Sequence, residues 1–186
     1  MELNIPDDEG DSPLLAAVSR GKAIITKALL DAGADCNQVN LDGQTPLMVG
    51  LSNLDDSREA LEVLLSRPRG FDFFIRDNSG RHILHYLMEN AGRVTLELFS
   101  TIEMVGVSAE DRDNSGKTPR DILTDRMNGC RCCFPYSWTR AGMKEAFDSF
   151  LDRVEGTSRI SLVDSEDGAD DDDDEFYDTS ETLPSV

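Results

Sequence analysis

The chain has 186 residues, 39% of them hydrophobic, with 37 acidic and 18 basic side chains giving a net charge of −19. Such acidity speaks against binding nucleic acid, where Lys and Arg must displace counterions, and against docking on an anionic membrane surface. No stretch approaches the roughly 20 apolar residues of a membrane span, and the acidic start Met1 to Gly10 lacks the basic-then-apolar order of a secretory signal.

Along the chain one pattern returns. Gly10, Gly43, Gly80 and Gly116 are spaced by 33, 37 and 36 residues, and Arg76-Asp77-Asn78-Ser79-Gly80 recurs letter for letter as Arg112-Asp113-Asn114-Ser115-Gly116. Two residues after the glycine come Ser12-Pro13, Thr45-Pro46 and Thr118-Pro119, whereas the third copy has His82-Ile83. A second glycine series, Gly33, Gly70 and Gly106, keeps nearly the same period. Asp-x-x-Gly is turn chemistry, with Asp bonding its own backbone and Gly taking a positive φ. Ser or Thr then caps a helix whose first position tolerates Pro. The first copy continues with a short apolar helix, Leu14 to Val18. A second helix carries Ile24, Ile25, Ala28, Leu29 and Leu30, and Gly33 stops it.

These residues resemble the ankyrin repeat, whose pattern is Asp-x-x-Gly-x-Thr-Pro-Leu-His-x-Ala followed by a Leu-rich helix and Gly-Ala. Leu29-Leu30-Asp31-Ala32-Gly33-Ala34, Asp42-Gly43-Gln44-Thr45-Pro46-Leu47, Leu84-His85 and Thr118-Pro119 carry the likeness. It covers about residues 5–154 and implies an all-α ankyrin-repeat solenoid of helix-turn-helix units. The expected domains are 1–154, with repeats at about 7–39, 40–76, 77–112 and 113–154, and a disordered acidic tail at 155–186. An insertion at 124–142 interrupts the fourth repeat. Beyond it, Met143, Ala146, Phe147, Phe150, Leu151 and Val154 form one apolar stripe, which suits a terminal cap. The tail holds twelve acidic residues and one Arg, a composition that favours disorder.

Chemistry-bearing groups are few. His82 and His85 read as His-x-x-His on a helix. His85 falls at the position of the ankyrin pattern's structural His, and His82 takes the place of the capping Thr. Cys130, Cys132 and Cys133 put three thiols within four residues with no fourth ligand nearby, so no zinc site is expected, and Cys36 stands alone. Adjacent cysteines make a poor disulfide framework, which places the protein inside the cell, in cytoplasm or nucleus. No nucleophile with its base, phosphate-cradling loop or carboxylate pair stands out, so neither catalysis nor a cofactor is expected.

The expected function is therefore non-catalytic binding of a protein partner. The candidate contacts are non-consensus positions at the turn tips and first helices: Leu41, Gln44, Asn78, Arg81, Tyr86, Asn114 and Lys117. The insertion adds Phe134, Tyr136 and Trp138, flanked by Arg126, Arg131 and Arg140, a composition typical of interface anchors. A four-repeat chain of this size also resembles the small ankyrin inhibitors of cyclin-dependent kinases, which implies a kinase or kinase complex as partner. In the tail, Ile160, Leu162 and Val163 followed by acid resemble a SUMO-interacting motif, which would add as a strand to a sheet edge. An alternative of a different class is an acidic chaperone or decoy that holds a basic protein through the tail.

Overall fold

In the computed structural model, residues 3–66, 70–104, 106–129 and 140–163 are described, without the side chains of 140–141 and 157–163. Among these residues every regular element is a helix: α1 (Pro13–Ser19), α2 (Ala23–Asp31), α3 (Pro46–Ser52), α4 (Leu54–Leu65), α5 (Ile83–Asn90), α6 (Arg93–Phe99), α7 (Pro119–Gly129) and α8 (Arg140–Val163). None is long and apolar enough to cross a membrane.

The described helices stack in chain order. α1 packs on α2 and α3 on α4 within pairs, while α1 on α3, α3 on α5, α5 on α7, α2 on α4 and α6 on α8 join neighbours. The first helices of the first, second and fourth repeats start in the same way. Ser12 Oγ accepts from the Leu15 N–H at 3.3 Å, Thr45 Oγ1 from Met48 at 3.4 Å and Thr118 Oγ1 from Asp121 at 3.1 Å, with Pro at the first helical position. The cap thus satisfies a donor that the helix start leaves open. Leu14, Leu47 and Leu84, two residues past Ser12, Thr45 and His82, are buried in one continuous core.

The tips are equally regular. The side chains of Asp7, Asn40, Asp77 and Asp113 each accept from the N–H groups two and four residues on. The glycine of each tip, Gly10, Gly43, Gly80 or Gly116, has φ between 77° and 82°, where a side chain would be strained. At the end of α2, the Gly33 N–H donates to Leu30 O and the Ala34 N–H to Leu29 O, the paired closure that a left-handed glycine permits.

Three features depart from the sequence reading. α2 leaves Ile24 and Ile25 exposed, 86% and 53%, and buries Thr26 instead. Its partners α1 and α4 cover only part of its surface, so an apolar stripe does not by itself become core. α7 runs to Gly129, six residues into the segment expected to be an insertion, because Leu123 and Met127 continue its buried face one turn apart. α8 runs to Val163, past the point at 154 where the apolar period ends.

Candidate functional site

The tips and first helices carry the predicted contact positions, and the structure separates them into two kinds. Leu41, Asn78 and Asn114 occupy the same place, two residues before the tip glycine. Asn78 donates from Nδ2 to Leu41 O at 2.8 Å, and Asn114 donates from Nδ2 to Asn78 O at 3.0 Å. Their backbone N–H groups donate to Asp42 O and Ser79 O at 2.9 and 2.8 Å. The two asparagines therefore tie each tip to the one before it. Leu41 has no side-chain amide to do this; it lies against Gly10 and is 71% exposed. Val39, two residues earlier, is 41% exposed. Lys117 is exposed at the fourth tip, with Nζ 2.7 Å from Asp125.

The other positions turn inward. Tyr86 is 2% exposed, which corrects the reading of it as a projecting contact. Its hydroxyl donates to Asp77 Oδ2 at 2.7 Å and accepts from Gln44 Nε2 at 2.9 Å and from the Arg81 guanidinium at 3.0 Å. Arg81 also stacks on the Tyr86 ring at 4.6 Å and pairs with Asp77 and Glu89. Burial, with the bond to Asp77, pushes the Tyr86 phenol up to about 12. Burial alone would raise the Asp77 pKa, but the bonds from Tyr86 and Arg81 outweigh it and hold the carboxyl below its ordinary value. Gln44, Arg81 and Tyr86 thus form a polar brace between the second and third repeats.

The histidines are hydrogen-bonding parts of the fold. His82 Nδ1 accepts from the Leu84 N–H at 3.2 Å, and His85 Nδ1 accepts from the His82 N–H at 3.3 Å, a reciprocal cap at the start of α5. With Nδ1 accepting, Nε2 carries the proton in both rings, and His85 donates it to Lys117 O at 3.3 Å. His82 Nε2 lies 3.4 Å from Asp111 Oδ2 without forming a well-aligned hydrogen bond. Burial, with His85 and Arg76 nearby, pushes His82 down to about 3; burial also lowers His85.

Two arginines have roles that no sequence signal indicated. Arg126 donates to Met88 O at 3.1 Å and Ala91 O at 2.8 Å, closing the end of α5, so it is not part of a free basic loop. Arg120 stands where the first three repeats have Leu14, Leu47 and Leu84. It faces Asp148 at 3.3 Å, Asp152 at 2.9 Å, and Glu110 and Glu155 at 3.6 Å. Replacing the stacking Leu with Arg converts a repeat-to-repeat contact into an ionic clasp on α8.

Phe134, Tyr136, Trp138, Cys130, Cys132 and Cys133 lie outside the described residues, as does the tail from 164 onward. Ile160, Leu162 and Val163 lie in the last turns of α8. Adding them as a strand to a partner would first require that helix end to unwind.

Capped helix pairs, bonded tips and a terminal clasp define a stack of helical repeats. A family model described as ankyrin repeats, three copies, matches residues 1–77. Over 127 residues, 68% of this chain, the sequence is 31% identical to the tyrosine-protein kinase HTK16 of Hydra vulgaris, covering 16% of that protein. It is 32% identical over 93 residues, 49% of this chain, to the human transient receptor potential cation channel subfamily A member 1, covering 8% of it. It is also 28% identical over 132 residues, 67% of this chain, to a Coxiella burnetii protein named for its ankyrin repeats, covering 38% of it. The chain therefore spans at most 38% of the length of these relatives. The described fold is an all-α ankyrin-repeat stack, a general fold for protein–protein interaction rather than catalysis.

Proposed function

We propose that the chain is a non-catalytic binding module that holds a protein partner along its tips and the adjoining ends of its first helices. One observation carries this reading: Leu41 projects, 71% exposed, from a tip whose two successors use the same position for ladder bonds. A large apolar side chain held outward on a bonded scaffold gives a partner area to bury at little ordering cost. Lys117, exposed at the fourth tip with its ammonium paired to Asp125, adds a polar group to the same edge. Asn78 and Asn114 are exposed beside them but have their amides committed, so they offer shape and their remaining oxygens. Gln44, Arg81 and Tyr86 support the surface from behind.

A protein kinase or kinase complex is the partner class favoured by analogy with small ankyrin regulators, on fold alone. A second reading, an acidic clamp for a basic protein, draws on the twelve acidic residues of 155–186. Affinity capture with mass spectrometry separates the two, using the full chain, a Leu41→Asn/Lys117→Ala variant and a chain ending at Val163. A partner lost with the tip changes and kept without the tail supports the first reading. A partner lost with the tail, and released by moderate salt, supports the second.

A further inference from the structure

We propose that the junction between the third and fourth repeats is an acid-operated joint, in which protonation of the buried His82 or His85 removes a cap of α5 and loosens its hold on α7. The first, second and fourth repeats cap their first helices with the hydroxyls of Ser12, Thr45 and Thr118, groups that do not titrate in this range. The third repeat alone uses two imidazoles for the same task, His82 for the Leu84 N–H and His85 for the His82 N–H. Each bond uses an Nδ1 lone pair, and a proton on that nitrogen abolishes it. His85 also reaches the fourth repeat through Lys117 O, so cap and inter-repeat bond belong to one connected set.

The surroundings oppose a charge on either ring. His82 is 1% exposed and His85 is fully buried, with their ring centroids 4.3 Å apart. A cation on one ring therefore repels a cation on the other. Facing His82 are Arg76 from the third tip and Asp111 from the segment before the fourth tip. Facing His85 are Arg76, Asp111 and Asp113. Among the described residues, the carboxylate within reach of His82 Nε2 is Asp111, which is already paired with Arg76 at 3.1 Å. Among the described residues a protonated His82 thus finds no uncommitted anion, and relief comes from opening.

The sign follows. Both imidazoles have folded values below the ordinary one, so stability is fully present above about pH 6.5 and falls as the pH drops below it. Lowering the pH from about 7 to about 5.5 should favour the open form by roughly eightfold for each imidazole that stays neutral when closed. Acid release of a partner bound across the third and fourth tips would follow, a consequence that rests on the binding reading above. The joint itself does not depend on that reading.

Hydrogen exchange and ring titration followed by NMR on the full chain test the joint without any partner. The expected result is a His82 ring that does not titrate down to about pH 5. Over the same range, exchange of α5 and α7 amides, corrected for intrinsic rate, should rise at least roughly eightfold while α1 and α3 amides stay level. His82→Thr, the residue that caps two sister repeats, should fold and should reduce that rise by about eightfold. A His82 ring titrating near pH 6.5, an equal rise along the whole stack, or an unchanged rise in His82→Thr would overturn the proposal.

Discussion

The Tyr86 hydroxyl donates to Asp77 Oδ2 at 2.7 Å, fixing the start of α5 to the tip that precedes it. Arg81 and Gln44 converge on the same oxygen of Tyr86, so one phenol joins the second and third repeats. Tyr86→Phe removes the donor to a carboxylate and leaves the ring in place. A loss of about 1–3 kcal/mol in denaturant unfolding is expected at neutral pH, the range for bonds to charged groups. Asp77 titrates below its usual value, so the carboxylate's contribution is present above about pH 4 and is lost as the pH falls toward the folded value. The cost of Tyr86→Phe should therefore shrink near pH 3, and partner affinity at neutral pH should hardly change.

Leu84 is fully buried at the stacking position two residues past the third cap. Leu84→Ala should cost about 2–5 kcal/mol through lost burial and a residual cavity. Calorimetry should show a lower Tm. An unchanged Tm would mean that this position does not hold neighbouring pairs together.

Arg120 faces Glu110, Asp148, Asp152 and Glu155 together. Its removal leaves like charges together on α8, a repulsion that salt screens. Arg120→Ala should cost about 1 kcal/mol at low ionic strength and clearly less in about 0.5 M salt. A cost independent of salt would assign the residue's role to the packing of its methylene stem.

What the sequence made legible was whatever the repeats share. Turn residues, caps and the C-terminal glycine recur at fixed offsets, and each acts within a few residues of itself, so composition and spacing were enough. Features that depend on another repeat were not legible. Tyr86 reads as a projecting aromatic until Gln44 and Asp77 are seen closing over it. Arg126 reads as loop charge until the carbonyls of Met88 and Ala91 appear beside it, 35 or more residues away in sequence. Ile24 and Ile25 satisfy the apolar pattern of a core helix, yet burial also needs a neighbour on that side of α2. For the candidate surface, the offset before the tip glycine marked Leu41, Asn78 and Asn114 as equivalent. Only the inter-tip bonds divided them into a projecting residue and two ladder residues.

The measurement that bears most directly on the binding reading is a calorimetric titration of the captured partner against three proteins: the full chain, Leu41→Asn/Lys117→Ala, and the chain ending at Val163. Asn is what the next two tips carry at the position of Leu41, so the first variant should keep the fold. The tip changes should weaken the Kd by at least roughly tenfold, about 1.4 kcal/mol. Truncation after Val163 should alter it by less than about threefold, since it leaves the tips intact. Full affinity in the tip variant, together with loss of binding on truncation, would contradict the account and move the site to the acidic tail.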